Sequence, residues 1–351
     1  MKNKKIAFVL LVIMFFMIIL TACGNIVQKE DDNISRTEFM MDTVITIKIY
    51  DKIDENLLDT VFERLKEIEN RMSKTIEKSD VSNINAKAGI EAVQVHEDVY
   101  YVLEKALYFA KLTNGAYEPT IGPLVELWNI KGQNESEVKS LPDENDIHEA
   151  LEKVDYKKLQ LLEDNKVFLK EKGMKVDLGG IVKGYAADEI KRILKEKGVK
   201  SAIIDLGGNI YAYGSKTSGE AWKIGVQNPF DLSNYIGIIN AVDNSIVTSG
   251  GYERYFELNG KRYHHIIDSK TGYPSQNELS AVSVISKDSI DGDALSTALF
   301  ILGIEEGQEL LKEVDNVDAL FITKEKQVFV PLSLEDKFKL KNSEFNIMNN
   351  N

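Results

Sequence analysis

Two rhythms of apolar and polar positions run along the chain. Residues 39–50 (FMMDTVITIKIY) are rich in β-branched side chains, alternate from Thr43 onward and predict a strand. In residues 54–72 the apolar positions 57, 58, 61, 62, 65 and 68 share one helix face, and Asp54 stands where a cap belongs. Residues 98–113 repeat that period, with Tyr101, Val102, Ala106 and Phe109 on the apolar side. Residues 115–128 open as a turn-rich segment, and the polar run 131–146 reads as a surface loop. Strands are expected at 159–163 and 166–170. A short strand at Lys175, a glycine turn and a helix to Lys197 follow, with Gly198 as the stop. Residues 199–205 and 210–213 flank a Gly207-Gly208-Asn209 turn, and further strands fit 221–227, 235–242, 252–258 and 279–286. Helices over 290–301 and 305–313 and strands near 319–323 and 327–331 complete the pattern. Antiparallel hairpins prevail over βαβ alternation, so the predicted class is α+β.

The N-terminus follows a different rule. Lys2, Lys4 and Lys5 precede 15 uncharged residues, 6–20, and then Leu20-Thr21-Ala22-Cys23. A spanning helix wants about 20 apolar residues, so the stretch suits a signal-peptide core. The LTAC sequence looks like a bacterial lipobox, in which the Cys23 thiol takes diacylglycerol and becomes the new N-terminus. The expected organisation is a signal peptide at 1–22, a polar tether at 23–37, a folded body at 38–340 and a frayed polar tail at 341–351. The body is expected on the extracytoplasmic face of the cell membrane, held by lipid on Cys23.

Composition narrows the chemistry. Of 351 residues, 43% are hydrophobic and 28% charged, ordinary for a globular chain. Lys plus Arg number 43 against 56 acidic residues, a net charge of −13 that argues against a nucleic-acid partner. A single cysteine allows no intrachain disulfide and no Cys-rich metal centre.

Four constellations carry candidate chemistry. In Asp177-Leu-Gly-Gly-Ile-Val-Lys-Gly184, glycines between strand and helix allow close approach of a ligand. The free amides of the helix start, with Lys183, suit phosphate; a tight turn with glycines for packing is the alternative. In Asp291-Gly-Asp293-Ala-Leu-Ser296-Thr297, Asp293 and Thr297 stand four apart on one helix face. With a glycine-turn carbonyl they make an all-oxygen site suited to Mg²⁺ or Ca²⁺, unless the carboxylate merely caps its helix. In Tyr263-His264-His265-Ile-Ile-Asp268, adjacent histidines in extended chain face opposite ways, so one of them is a candidate general base. Thr248-Ser249-Gly250-Gly251-Tyr252-Glu253-Arg254 reads as a Ser-Gly-Gly turn entering an aromatic strand, able to cradle part of a planar ligand or simply to close a hairpin.

Taken in order, Met41-Asp-Thr43, Glu118-Pro-Thr-Ile-Gly-Pro-Leu, Asp177-Leu-Gly-Gly-Ile-Val-Lys-Gly-Tyr-Ala, Asp205-Leu-Gly-Gly-Asn209, Thr248-Ser-Gly, His265-Ile-Ile-Asp268-Ser-Lys-Thr-Gly and Asp293-Ala-Leu-Ser-Thr297 resemble the ApbE family of FAD:protein FMN transferases. The resemblance runs from about residue 38 to 335. It implies a fold of two lobes of mixed or antiparallel sheet with helices packed on them, and FAD bound between the lobes. It implies Mg²⁺-dependent transfer of FMN from FAD to a Thr or Ser hydroxyl of an acceptor flavoprotein, with AMP leaving. Acceptors of the family include subunits of the Rnf and sodium-translocating NADH:quinone reductase redox pumps. By the same resemblance the metal falls to the Gly180 carbonyl, Asp293, Thr297 and the Ser296 position. FAD falls to Met41, Thr75, the Ala116-Tyr117-Glu118 turn, Asp177, Lys183, Ser249, His265 and Ile267. His265 matches the family's candidate base, Asp268 would orient it or bind ligand, and Lys183 would steady charge on the phosphates. Two positions depart from the pattern: Asp42 stands where the family has glycine, and Thr75 where it has an aromatic. Competing readings are an FAD carrier, an FAD pyrophosphatase giving FMN and AMP, and a solute-binding lipoprotein feeding an importer.

Overall fold

A computed structural model describes residues 33–136 and 138–348. The expected signal peptide and Cys23 lie outside the described residues. From Ile34 onward the chain is one unit.

Two strands open it, β1 (Ile34–Met40) and β2 (Thr43–Ile49), followed by α1 (Asn56–Met72), α2 (Asp80–Ala86), β3 (Val93–Gln94), α3 (Glu97–Leu112), α4 (Gly122–Trp128), α5 (Ile130–Glu135) and α6 (Glu144–Leu151). Next come β4 (Leu159–Leu162), β5 (Lys166–Leu169), α7 (Val182–Glu196), β6 (Ser201–Leu206), β7 (Asn209–Gly214), β8 (Trp222–Gln227), β9 (Tyr235–Ala241), β10 (Asn244–Gly250), β11 (Tyr255–Leu258) and β12 (Lys261–His264). The chain closes with β13 (Leu279–Ser286), α8 (Ser289–Leu311), β14 (Val317–Thr323), β15 (Gln327–Phe329), β16 (Phe338–Leu340) and β17 (Asn346–Met348).

Among the described residues, nine strands form one sheet in the order β1-β2-β6-β7-β10-β13-β14-β15-β17. Every neighbouring pair is antiparallel except β15 with β17. This is the mixed α/β architecture that the hairpin-rich pattern predicts. The interior divides into three hydrophobic clusters. The largest packs helices α1, α3, α7 and α8 on one face of the sheet through Leu65, Ile68, Leu103, Ile190 and Leu295. A second joins the sheet to β8, β9 and β16 through Trp222, Ile236 and Phe338. A third gathers Leu124, Trp128, Ile147, Phe256 and Ile267.

Several expectations need correction. The single strand over 39–50 is a hairpin, with Met41 and Asp42 as its turn. Its first strand takes Ile34 to Thr37 from the expected tether. As a sheet-edge strand β1 is largely exposed, so backbone pairing rather than side-chain alternation defines it. The polar run 131–146 holds most of α5 and the start of α6, whose buried face is only Ile147 and Ala150. Lys175 makes a single bridge to Ile121 rather than a strand. Thr248, Ser249 and Gly250 end β10, a strand between β7 and β13 that the polar sequence concealed. The two C-terminal helices form α8, broken at Gly303 (φ 78°). The expected tail contributes buried Phe345 and the β17 strand, which pairs with β15 because that edge is otherwise open. Asn349 to Asn351 lie outside the described residues.

Candidate functional site

Two helix starts meet because one residue has no side chain. Gly184 lies in the first turn of α7, where a β-carbon would stand 2.3 Å from the Ser289 carbonyl oxygen at the start of α8. Glycine therefore lets the two backbones touch. The contact is then fixed by polar groups. The Asp188 carboxylate accepts from the Ser289 and Ile290 amides at 3.0 and 2.9 Å, capping α8. In return Asp293 of α8 accepts from the Gly184 amide at 2.8 Å, satisfying a donor that α7 leaves free. Asp293 thus caps the neighbouring helix rather than its own.

Thr297, one turn after Asp293, comes against the glycine turn before α7. A β-carbon on Gly180 would lie 3.3 Å from Thr297 Oγ1 and 3.4 Å from the Tyr117 ring. Gly180, Asp293 and Thr297 therefore line one cavity of about 380 Å³. It opens where the largest hydrophobic cluster, represented by Met72 and Leu178, meets residues of the third cluster, Ile121, Val125 and Ile267. That volume lies in the range of small-molecule sites.

The other expected flavin contacts face the same space. Met41 comes from the β1–β2 turn, Thr75 from the segment after α1, and Ala116, Tyr117 and Glu118 from the turn before α4. Glu118 is fully engaged in holding that turn. Its carboxylate accepts from the Thr120 amide and hydroxyl at 2.8 and 2.7 Å and from the Tyr156 amide at 3.0 Å. Burial still raises its pKa. Asp177 accepts from the Gly179 amide at 2.8 Å and pairs with Lys74 at 2.5 Å. Lys183, Ser249, His265 and Ile267 complete the set.

Two expected residues, Asp268 and Ser296, stand outside the cavity lining. Asp268 accepts from the Lys270 amide at 2.8 Å, and its own amide donates to the Tyr273 carbonyl at 2.9 Å, so it shapes a turn. The His265 ring instead contacts the Arg254 carbonyl through Nδ1 at 3.3 Å. Ser296 is fully buried, its hydroxyl held by Ser249 Oγ at 2.8 Å and the Asp293 carbonyl at 2.9 Å. Its hydroxyl is thereby tied to Ser249 and to the α8 backbone.

The two histidines do face opposite ways. His264 is buried, 2.9 Å from the Ser275 carbonyl and edge-on to Phe300. Burial lowers its pKa to about 4. His265 is half-buried in the cavity wall. Burial, then His264, Arg254 and Lys183, push its imidazole down to about 3. At neutral pH the ring is uncharged. With Nδ1 turned to a carbonyl, the other nitrogen is an acceptor.

The electrostatics are unbalanced. Burial raises the Asp293 pKa, against the pull of Lys183 and the α7 amides. The Tyr117 hydroxyl is buried without a hydrogen-bond partner among the described residues, close to Asp293, Asp177 and Glu118. Glu253 also lines the cavity near Lys183 and Asp293. Sequence reasoning missed Lys74, Glu253, Arg254 and Glu69. Glu253 and Arg254 end the Thr248 block without having been given a role there, whereas nothing along α1 distinguishes Glu69 from its solvated neighbours.

Fold and site together define a mixed α/β protein with an oxygen-lined acidic cavity at paired helix starts. Residues 41–321 match the ApbE family model, and the chain belongs to the ApbE family. It is 36% identical over 343 residues to the FAD:protein FMN transferase of Treponema pallidum, spanning 92% of this chain and 93% of that protein. It is 39% identical over 298 residues to one from Klebsiella pneumoniae, spanning 84% and 91%. The crystal structure of the ApbE protein from Thermotoga maritima superposes with a TM-score of 0.80 at 31% identity, over 87% of this chain and 99% of that one. The flavin transferase ApbE from Vibrio cholerae gives 0.75 at 28% identity, over 89% and 98%.

Proposed function

We propose that this protein is an FAD:protein FMN transferase. The observation that carries the reading is the meeting of the Asp177 glycine turn with the Asp293 helix start at one cavity, joined through the Gly184 amide. In the reaction an acceptor Thr or Ser oxygen bonds to the flavin-side phosphorus of FAD. The bond from that phosphorus to the bridging oxygen breaks, and AMP leaves with the electron pair.

The residues fit a hard divalent cation. The Asp293 carboxylate, Thr297 hydroxyl and Gly180 carbonyl are all oxygen donors. When bound there, Mg²⁺ would neutralise charge on the diphosphate. This chain's own groups do the rest. Lys183, in the first turn of α7 and lining the same cavity, would stand beside the phosphates, where a cation stabilises growing negative charge. Neutral His265 takes the acceptor proton on its free nitrogen. Met41, the Ala116–Glu118 turn and Asp177 hold the nucleotide, and the junction of the two hydrophobic clusters corresponds to the interlobe cleft of the family. Thr75 keeps a place in the wall without an aromatic platform.

The acceptor is a flavoprotein exposing a Thr or Ser. With Cys23 lipidated after removal of 1–22, the enzyme would work at the extracytoplasmic face of the membrane. Among the described residues no helix is long and apolar enough to cross a membrane. The deciding experiment incubates the protein with FAD, Mg²⁺ and a Thr-bearing acceptor peptide, then weighs the peptide. A mass increase equal to FMN esterification is expected. Free FMN with an unchanged peptide would make it a pyrophosphatase, and tight FAD binding with no turnover a carrier. Loss of membrane association in Cys23→Ala tests the anchor.

A further inference from the structure

The turn between β1 and β2 is built from the wrong residues for its shape. Met41 and Asp42 form a two-residue loop closed by the Met40–Thr43 pair, with φ of 52° and 59°. Left-handed backbone at both central positions is the geometry that Asn-Gly or Asp-Gly normally fills. Without glycine such a turn is strained, and strain persists where the surroundings over-determine it.

Three separate segments brace it. Glu69 of α1 accepts from the Met41 amide at 2.7 Å. Arg254 donates from Nη2 to the Asp42 carbonyl at 3.0 Å. Lys131 of α5 pairs with the Asp42 carboxylate at 3.0 Å, but both side chains are more than half exposed, so that pair adds little. Met41, Asp42, Glu69 and Arg254 all line the cavity. Arg254 works at both ends, because its carbonyl also accepts from the His265 amide at 3.0 Å and faces the His265 ring.

We propose that Arg254, assisted by Glu69, is a positioning residue that locks the strained Met41–Asp42 turn over the cavity and ties it to the His265 segment. Met41 is thereby held as part of the nucleotide-binding wall before ligand arrives. The role rests on the transferase reading, but its first consequence is FAD affinity, which can be measured without transfer.

The test compares wild type, Arg254→Met, Asp42→Gly and the double variant, reading FAD affinity by flavin fluorescence, melting temperature, and KM against kcat. Arg254→Met should weaken FAD binding about tenfold, with the loss in KM rather than kcat. Asp42→Gly supplies the residue that the turn favours and keeps the carbonyl that Arg254 holds, so it should raise the melting temperature by about 2 °C. The double variant should recover most of the FAD affinity, since an unstrained turn no longer needs the brace. A double variant as weak as Arg254→Met would overturn the proposal, because Arg254 would then touch the ligand itself. So would an Arg254→Met protein with wild-type affinity. Should Arg254→Met fail to fold, Glu69→Met removes the brace from the other side. It should show the same weakening and the same recovery with Asp42→Gly, and unchanged affinity in it overturns the lock. A protein that shows these shifts but transfers no FMN refutes the transferase reading and leaves the lock standing.

Discussion

Two polar clusters of this molecule differ in how their charges are answered. One surrounds Arg64 between α1, α3 and α7. Its guanidinium bonds Asp98 at 2.6 Å, Glu189 at 2.9 Å, Glu67 at 3.0 Å and the Tyr185 hydroxyl at 3.0 Å. Arg71 reaches the same Asp98 oxygen at 2.6 Å. Burial alone would raise the Asp98 pKa, but Arg64 and Arg71 outweigh it and hold the carboxyl below its ordinary value. The other cluster is the Asp293 cavity, where the Tyr117 hydroxyl has no hydrogen-bond partner among the described residues and Asp293 is answered by a backbone amide. Charges satisfied within the protein hold helices together, and polar groups left wanting mark where a ligand completes the structure.

The largest effects should separate the two clusters. Asp293→Ala should lower Mg²⁺-dependent transfer by about a thousandfold while the protein melts as a folded domain. Near-normal transfer by this variant would remove the metal assignment. Asp98→Ala should do the opposite, costing about 2–3 kcal/mol of stability in urea titration because it removes the buried acceptor that Arg64 and Arg71 share. The activity of its folded fraction should stay near wild type, and a selective loss of activity would mean that the Arg64 cluster serves the reaction.

His265→Gln should slow transfer about a hundredfold and change FAD affinity much less. Equal losses in both would make the residue structural. A smaller effect distinguishes its neighbour. His264 has a folded-state pKa of about 4, below the ordinary 6.5. The unfolded chain then binds the extra proton first, so stability is fully present above pH 6.5 and is lost as pH falls toward 4. His264→Phe should flatten that acid limb in melting temperature measured against pH, and an unchanged limb would assign it to other groups. The smallest expected change is Tyr117→Phe, a roughly three- to tenfold weakening of FAD binding with stability retained or slightly raised. Lower stability with unchanged FAD binding would show that the hydroxyl is satisfied within the protein.

Much of this site was legible along the chain because its residues sit in short local motifs. Asp293 and Thr297 are one helical turn apart, so their shared face follows from helix geometry alone. Asp177, Gly180 and Lys183 lie within seven residues, and His264 and His265 had to point apart in extended backbone. The misread parts depended on partners far away in sequence. Residues 34–37 carry no strand pattern and are a strand because β2 pairs with them. Residues 248–250 looked like the start of a turn because the alternation of their strand is hidden by Ser245, Thr248 and Ser249. Those hydroxyls are met by Ser289, Ser283 and Ser296. Asp268 looked like the partner of His265 through nearness in sequence, and the hairpin gave that place to Arg254.

The sequence by itself determined the residue types, the local turns and helix faces, and the family, because these depend on spacing within a few residues. Only the tertiary structure decided which of those faces meet. Gly184 brings two helix starts into backbone contact, the β1–β2 turn is bent over the cavity against its own preference, and Asp293 is left near the buried Tyr117 hydroxyl. Such juxtapositions arise from packing between segments more than a hundred residues apart, where no local propensity acts.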